Sequence, residues 1–575
     1  MLSYFGIGLP NRNLDLNFSL PTPGKRGKKP NVNNLKLISQ FKEFVDTPSL
    51  LFTELEKYLL TLNRYNIKLS DRIMVSNICL KYFYPIMLKV FNKYRDDGGI
   101  PDGQNKIVEI EQTEKVLVLL IKSYKLIFQQ DYNSSCFSYA RNRRRFNFCA
   151  VRLLELIYYR QRLLSLRYTL LEASSWQASH QIYGIIKQYE NATKRYPILS
   201  HHLFKKNNNK NKTKSVQRKS VEEYYMAIQL YSIIDQLSWH TKALPFIDNY
   251  LSYITPTIVP IICIGGVISP AEMIVYYGQK DAPYYKHKKN NGAPLAWTFN
   301  FTPLLVQLKL DRKDLFYANT KNNEFLVPRF LKKILPEYRL PLIEGLAKLV
   351  LTDSSNNMIL SSVPYDNIRI YSGIVEIYDK LIDVIHPHVV NADSRKFRDA
   401  MAQRSSTLSE DKDASEESLW FKCNTESSGM LCLKTMESQY TESYYIGSLV
   451  LIEDYSITPS QLRIAKVTKI NRIYKDKYVQ FSVKYLGSDA IPVMIKSAKN
   501  GAEKESKNQI LLNAIMLIAP NKINSLIIPF SRSYWYDSEV VIFNKKHEIH
   551  TCFGEVIDMS QDFYQFSLKK IVSVK

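Results

Sequence analysis

The sequence predicts a multidomain α+β protein with a helical N-terminal bundle, an α+β connector, and a C-terminal antiparallel β-barrel beside a second small β-module. Apolar residues recur at helical spacing over residues 36–254, whereas apolar and polar residues alternate in short runs after residue 420. The 575 residues are too many for one core and correspond to about three or four domains at ~150 residues each. The change of period therefore divides the chain into a helical part and a stranded part.

Residues 1–35 are predicted to form a basic extended arm, because prolines and a Lys/Arg cluster at 25–29 replace any regular apolar period. An α-helical domain is predicted for residues 36–254. Within it, Thr47 and Pro48 suit an N-cap and a first helical turn. Short polar connections between long amphipathic segments favour antiparallel helices packed as a bundle.

A basic loop at residues 201–219 interrupts the predicted bundle. It is rich in Lys and Asn and contains no acidic residue, so it is predicted to be flexible. Helix resumes directly after it, where Ser220 and Glu223 have the spacing of a capping box.

Arginine and aromatic residues are interleaved in the predicted helix 141–167. This combination suits a phosphate backbone with stacked bases. The alternative function is therefore a nucleic-acid-binding protein that uses this helix and the basic loop, with contacts from Arg141, Arg144, Arg145, Lys205 and Lys206. The purely structural alternative is a half-buried helix, with Leu153 and Leu154 on its apolar side and Arg152 on a solvated cationic face.

Residues 255–360 are predicted to be an α+β connector, because proline-interrupted helix alternates there with strand-like runs. Residues 361–500 are predicted to form the β-barrel, in which 373–378 is interpreted as a strand and 391–418 as an acidic, disordered insert. Alternating runs after a charged break predict a second small β-domain at 505–575.

The net charge of +24 favours an anionic partner, although AT-rich coding DNA would produce a similarly basic composition. Seven cysteines without a CxxC pair indicate a reducing compartment rather than a disulfide framework. The N-terminus lacks the basic region of a signal peptide, and the most apolar run, 258–268, is too short to span a bilayer. We therefore expect a cytoplasmic protein without a transmembrane segment.

The sequence contains no motif that names a reaction: P-loop, GxGxxG, HExxH and GxSxG patterns are absent. The histidines at 201–202 and 386–388 have no Cys or carboxylate at metal-binding spacing. Neither catalytic nor metal-ligating residues are predicted. We expect a non-catalytic protein that acts through a protein partner.

A polar turn precedes the alternating strands. Residues 424–429 read Asn-Thr-Glu-Ser-Ser-Gly and resemble the Asn/Asp-x-Ser-x-x-Gly signature of PilZ domains, the bacterial cyclic di-GMP receptors. The order of segments is also similar to a family of large bacterial proteins with a helical N-terminal half and a degenerate PilZ-like C-terminal half. The segments that carry this similarity are 176–183, 374–378, 420–433, 446–450 and 564–566.

The resemblance implies a PilZ-like barrel that takes cyclic di-GMP as its ligand and needs no other cofactor. The implied ligand-binding residues are Arg369, Asn424, Glu426 and Gly429. Relatives that bind the dinucleotide clamp it with an Arg-x-x-x-Arg arm, since guanidinium groups pair with phosphate and stack on guanine. Here Gly373 stands where the second arginine is expected, and Glu426 replaces Ser. We therefore expect a regulatory or scaffold protein whose degenerate site binds weakly or not at all.

Overall fold

A computed structural model divides the chain into two compact units, Met1–Asn357 and Met358–Lys575. The predicted insert 391–418, residues 201–217 of the basic loop and most of the arm 1–35 lie outside the described residues. The structure describes residues 16, 18, 20, 30–97, 104–135, 139–188, 192–198, 218–233, 239, 243–255, 258, 260–263, 272–276, 284–285, 296–320, 324–328, 331–333, 339–340, 342–344, 346–347, 365–385, 420–427, 430–436, 444–454, 461–473, 478–487, 489–497, 511–518, 525–529, 538–544, 547–560, 563–569 and 573–574.

The N-terminal unit is built mainly from helices, which confirms the predicted helical half. The helices are α1 Asn34–Glu43, α2 Pro48–Arg64, α3 Leu69–Asp97, α4 Gln104–Ser135, α5 Tyr139–Ser165, α6 Ala173–Gln188, α7 Val221–Ile233, α8 Leu244–Ile254 and α9 Thr302–Thr320. Pro48 begins α2, where its missing N–H costs nothing. The predicted capping box of α7 is confirmed: the Ser220 N–H donates to the Glu223 carboxylate at 2.7 Å, and the Glu223 N–H donates to the Ser220 hydroxyl at 3.1 Å.

Helix α5 packs against α4, α6 and α7. Leu153 and Leu154 are fully buried, as the apolar side of the helix predicts. Aromatic rings fill much of the remaining space, and Tyr183 of α6 stacks on Tyr225 of α7 with 4.1 Å between ring centroids. One apolar core runs from α1 to Leu346, so the predicted helical domain and the predicted connector share a single core.

Two small antiparallel sheets belong to the same unit. Strand β1 (Tyr196–Pro197) pairs with β2 (Arg218–Lys219). The second sheet has the strand order β3-β6-β4-β5, with β3 Pro260–Cys263, β4 Glu272–Tyr276, β5 Tyr284–Tyr285 and β6 Ala296–Asn300. Helix α9 follows β6, and 3₁₀ turns follow it at Glu324–Leu326 and Leu331–Lys333.

The C-terminal unit contains a closed six-stranded antiparallel barrel, which confirms the predicted barrel architecture. Its strands are β7 Tyr365–Ser372, β8 Trp420–Ser427, β9 Met430–Met436, β10 Leu449–Asp454, β11 Gln461–Ile473 and β12 Tyr478–Gly487. They follow the order β10-β11-β12-β9-β8-β7 around the barrel. Successive side chains of each strand point to opposite faces, so the alternating pattern fills the interior and leaves an outer face for other contacts.

A seven-stranded sheet follows the barrel. Its strands are β13 Asp489–Ser497, β14 Leu512–Ile518, β15 Ser525–Pro529, β16 Glu539–Asn544, β17 His547–Met559, β18 Phe563–Leu568 and β19 Ser573–Val574. The order is β16-β13-β14-β15-β18-β17-β19, and β16 also pairs with β17. This sheet begins at Asp489, inside the range 361–500 that the sequence assigned to the barrel, because β13 follows β12 almost directly.

The interpretation of residues 373–378 as a strand differs from the structure, in which helix α10 spans Ile374–Ile385. Ile377 and Leu381, one helical turn apart, are both buried. The helix is twelve residues long, and its apolar residues repeat at helical spacing. This period outweighs the strand-like composition of residues 374–378. The Ser372 N–H donates to the Glu376 carboxylate at 3.0 Å at the start of the helix.

Helix α10 joins the two β-structures of this unit. It packs against β7 and β10 of the barrel and against β13 and β14 of the second sheet. Ile377 and Leu381 share one apolar cluster with Leu449 and Leu451 of the barrel and with Ile515 of the sheet. A movement of α10 would therefore disturb both β-structures, since packed cores resist local deformation.

Among the described residues, one helical segment, Leu69–Tyr94 of α3, is long and apolar enough to cross a membrane by length and composition. Of its most apolar window, 56% is buried inside the helical unit. Val75, Phe83 and Met87 are fully buried there. The apolar character of the segment is thus accounted for by the core it helps to form.

Gly373 connects β7 to α10 with a φ of +83°, in the left-handed region that favours glycine. A Cβ at this position would meet no atom within 4 Å. A side chain here is therefore unfavourable because of the backbone conformation and not because of a steric clash with neighbouring residues. We expect Gly373→Ala to lower the free energy of unfolding of the C-terminal unit by about 1 kcal/mol, measured by urea denaturation. The control is Val375→Ala at an exposed position of α10. An equal loss of unfolding free energy in the two variants would show that the left-handed conformation of residue 373 does not disfavour a side chain.

Candidate functional site

Arg369, the one arginine of the predicted clamp, lies on β7, the strand that leads into α10. In the ladder between β7 and β10, its Cα lies opposite that of Glu453. Residues directly opposite each other in an antiparallel pair have Cβ atoms about 5 Å apart on one face. Arg369 therefore shares its face of the barrel with a carboxylate.

Glu453 is buried and has defined partners on two elements. The Tyr371 hydroxyl donates to its carboxylate at 2.8 Å, and Lys380 of α10 forms an ion pair with it at 3.2 Å. Burial alone would lower the pKa of Lys380, but its bonds to Tyr371 and Glu453 raise that pKa above its ordinary value. Charged side chains of β7, β10 and α10 thus converge at one place on the barrel.

The prediction of a turn at residues 424–429 is wrong for its first four residues, which continue strand β8 to Ser427. Asn424 and Glu426 lie on this strand, the neighbour of β7, and only their places in the strand are described. Asn424 is paired with Cys432 of β9. The register shifts between Asn424 and Ser427, and Glu426 lies within this irregular stretch. Gly429 lies outside the described residues.

The strand register separates Arg369 from Asn424. Ile368 lies opposite Trp420, so Asn424 is four residues further along β8, roughly 13 Å at the rise of a β-strand. Arg369 lies one residue beyond Ile368 in the other direction. The structure places the two residues on neighbouring strands but at different levels, and a ligand that contacts both must extend along β8.

Gly373 occupies the position at which the second clamp arginine is expected. Its φ of +83° is required where the chain leaves β7 and enters α10. An arginine here would hold a left-handed conformation at a cost of roughly 1–2 kcal/mol. The missing arginine therefore has a structural cause in the strand-to-helix junction.

The residues predicted for nucleic-acid contact do not form one described surface. Arg144 is exposed. Arg145 forms an ion pair with the buried carboxylate of Asp131 at 2.6 Å. The side chain of Arg141 lies outside the described residues, as do Lys205 and Lys206.

The prediction that Arg152 lies on a solvated cationic face is wrong. Arg152 is 1% exposed and forms an ion pair with Glu155, which is also fully buried. The Tyr224 hydroxyl donates to the second oxygen of Glu155 at 2.7 Å. Burial alone would lower the pKa of Arg152, but the Glu155 carboxylate raises it. Helix α5 is thus surrounded by other elements on its charged side as well.

The far end of α5 has a second group of ion pairs. Arg160 contacts Glu172 at 2.6 Å and Glu114 at 3.2 Å, and Arg167 contacts Glu114 at 3.3 Å and Glu111 at 3.0 Å. Burial alone would raise the pKa of Glu172, but its bonds to Arg160 lower that pKa to about 2. The protein itself engages these arginines, so they are not available to a phosphate backbone.

A third pair joins α5 to α8. Arg162 contacts Asp248 at 2.5 Å, and the Tyr158 hydroxyl donates to the same carboxylate at 2.9 Å. Sequence reasoning missed these pairings because no local spacing reveals which arginine meets which carboxylate. The available signal was weaker: glutamates recur in the neighbouring helical segments at a density that could balance the arginines.

Within the part of the chain that the structure describes, no group of three or more His, Cys, Asp or Glu side chains could hold a metal ion.

Residues 46–259 match a family described as the N-terminal domain of the cyclic-di-GMP receptor FimW. The N-terminal unit is similar to a cyclic-di-GMP receptor domain. The match spans α2 to α8 and includes the whole arginine and carboxylate network of α5, but it covers less than half of the chain. No curated protein and no solved structure matches the chain significantly. The FimW similarity supports a cyclic-di-GMP receptor-like role from a part of the chain other than β8.

The buried pair in the FimW-like region gives a stability prediction. Arg152→Met should lower the free energy of unfolding by about 3–5 kcal/mol, because it leaves the Glu155 carboxylate buried and unpaired. The double variant Arg152→Met/Glu155→Leu should lose less than the single variant, since neither charge remains. Urea denaturation of the single variants Arg152→Met and Glu155→Leu and of the double variant checks this. A double variant that loses the sum of the two single losses would show that the residues are not coupled.

Lys125 of α4 gives a pH prediction. Burial lowers its pKa from 10.5 to about 8, although its ammonium donates to the Ser174 carbonyl at 3.2 Å. Between pH 8 and 10.5 the unfolded chain keeps a proton that the folded protein has lost, so this group raises stability as pH rises across that window. Below pH 8 Lys125 is protonated in both the folded and the unfolded chain, so its destabilising effect is at its largest and no longer changes with pH.

We therefore expect the difference in stability between wild type and Lys125→Met to shrink as the pH rises from about 8 to about 10, inside that window. Chemical denaturation at several pH values measures it. Arg64→Met, at the last residue of α2, is the control for removing a cation elsewhere in the unit. A pH-independent difference for Lys125→Met would contradict the lowered pKa.

Proposed function

We propose that the protein is a non-catalytic cytoplasmic regulator that responds to cyclic di-GMP through a PilZ-like barrel and acts on a protein partner through its helical half. The observation that carries this proposal is the similarity of residues 46–259 to the N-terminal domain of a cyclic-di-GMP receptor. The closed barrel in the other unit, with Arg369 on β7 and Asn424 on β8, supplies a candidate ligand module. The cytoplasmic location is supported by the buried free thiols of Cys79 and Cys149.

In this proposal the dinucleotide binds along β7 and β8. Arg369 pairs with a phosphate and stacks on a guanine, which a planar guanidinium does well. Asn424 and Glu426 meet a guanine edge, and Gly429 allows the close approach of the backbone. The separation of Arg369 and Asn424 along β8 requires the ligand to extend along the strands.

The same residues limit the affinity. One clamp arginine is replaced by Gly373, and a missing charged hydrogen bond removes about 1.5–3 kcal/mol, or one to two decades of affinity. Glu426 adds a negative charge to a site that must bind a ligand with two phosphates. Glu453 lies opposite Arg369 and competes with phosphate for its guanidinium. We propose a weak site with a dissociation constant well above that of a complete clamp.

Ligand binding would be transmitted through α10. A phosphate on Arg369 changes the charge around Glu453, which is paired with Lys380 of that helix. Because α10 packs on the barrel and on the second sheet, a changed Glu453–Lys380 pair biases the arrangement of both. The shift is limited by the difference in ligand affinity between the two arrangements.

Nucleic-acid binding is the less favoured function. Arg145 and Arg160 of α5 are paired with carboxylates of their own unit. Phosphate-driven binding weakens steeply as salt rises. Absence of DNA and RNA binding at low salt would exclude this alternative.

Calorimetry with cyclic di-GMP tests the proposed function. We expect weak binding to the wild type, at least about tenfold weaker binding to Arg369→Ala because a charged hydrogen bond is lost, and tighter binding to Glu426→Ser because a like charge is removed. Arg463→Ala, on β11 of the same barrel, is the matched control. No heat with either the wild type or Glu426→Ser at high micromolar ligand would refute the receptor function.

A further inference from the structure

Strand β9 places a lysine on the outer face of the barrel, beside β8. Leu431 and Leu433 of β9 are 3% and 0% exposed and point into the barrel. Because side chains alternate along a strand, Cys432 and Lys434 lie on the outer face, and both are partly exposed. The Gln480 amide of β12 donates to the Cys432 sulfur at 2.9 Å, as expected for outward side chains on neighbouring strands.

The strand register brings Lys434 close to Asn424. Phe421 of β8 lies opposite Lys434, and Asn424 lies opposite Cys432. Residues directly opposite each other in an antiparallel pair share a face, so Asn424 is also on the outer face. Asn424 and Lys434 are one strand apart and two residues of β9 apart, which corresponds to about 8 Å between their Cα atoms.

The same register relates Lys434 to Arg369. Asn367 of β7, Phe421 of β8 and Lys434 of β9 form one row across three strands. Arg369 is two residues from Asn367, so its Cα lies about 12 Å from that of Lys434. Strand β8 lies between β7 and β9. Arg369 and Lys434 therefore flank β8 from its two sides, and Asn424 lies on β8 itself.

We propose that Lys434 binds the second phosphate of the dinucleotide, in place of the clamp arginine that Gly373 replaces. This inference rests on the proposed cyclic di-GMP function. A ligand with two phosphates that lies over β8 meets Arg369 on one side and Lys434 on the other. The ammonium group of a lysine pairs with phosphate as a point charge and lacks the bidentate geometry of arginine. The site therefore binds more weakly than one with two arginines.

Lys434 is the outward lysine of these strands that lies nearest to β8. Strands β9, β11 and β12 contain no acidic residue, and four lysines point outward from them: Lys434, Lys466, Lys469 and Lys484. Lys466 is paired with Asp558 of β17 at 2.6 Å. Lys469 is on β11, three strands from β8, and Lys484 is on β12, two strands from β8. Lys434 is on β9, which pairs directly with β8.

The ladder neighbours of Lys434 differ from those of Arg369. Arg369 lies opposite Glu453, whose carboxylate competes with a phosphate for the guanidinium. Lys434 lies opposite Phe421 on one side and Gln480 on the other, and neither carries a charge. These two neighbours do not compete with a phosphate, so we expect the contribution of Lys434 to affinity to be measurable.

Calorimetry of the full chain with cyclic di-GMP tests this inference. We expect Lys434→Met to weaken binding by at least about tenfold, because a charged contact with phosphate is lost. Lys434→Arg should bind at least as tightly as the wild type, since guanidinium also pairs with phosphate. The matched control is Lys484→Met, which removes the same charge from the same face two strands from β8. Its affinity should stay within about twofold of the wild type, because salt screens a distant charge.

The outcomes separate this inference from the proposed function. Equal affinities of Lys434→Met and Lys484→Met, with a loss in Arg369→Ala, would overturn the role of Lys434 and leave the receptor function standing. Equal losses in Lys434→Met and Lys434→Arg would also overturn it, since the charge of the side chain would not explain them. No binding by the wild type or by Glu426→Ser would refute the receptor function and this inference together. Thermal melting verifies that the variants are folded.

Discussion

The burial of charge along α5 constrains the whole N-terminal unit. An arginine removed from water costs several kcal/mol unless a carboxylate and further hydrogen bonds compensate for it. Arg152 finds Glu155 within its own helix, whereas Arg160 and Arg167 depend on Glu114 of α4 and Arg162 depends on Asp248 of α8. These pairings hold only if α4, α5 and α8 keep their relative positions. The network therefore specifies the arrangement of helices as well as contributing to their stability.

The C-terminal unit depends on a smaller version of the same constraint. Glu453 is buried on the barrel and is compensated by Tyr371 and by Lys380 of α10. The pairing attaches α10 to the barrel at the point where Arg369 also lies. In the proposed function, a nucleotide phosphate on Arg369 would lie beside Glu453, whose carboxylate already pairs with Lys380, and this connects weak affinity with a route for regulation.

Several features could be predicted from the sequence because they depend on neighbouring residues. The helical half, the barrel strands and the capping box of Ser220 and Glu223 follow from local periods and spacings. The strand interpretation of residues 373–378 failed because Ile, Val and Tyr favour strands locally, while the packing of Ile377 and Leu381 between two β-structures stabilises a helix. The solvated face assigned to Arg152 failed because a helical pattern does not reveal how many sides other elements cover.

The sequence by itself determined the order of helical and stranded regions and the capping box at the start of α7, since each is a property of nearby residues. Only the tertiary structure decided that Arg152 and Arg160 of α5 are buried, that Arg369 lies opposite Glu453 on the barrel, and that Gly373 takes a left-handed conformation between β7 and α10. The physical reason is that burial and charge pairing depend on residues distant in the chain, which no local pattern contains.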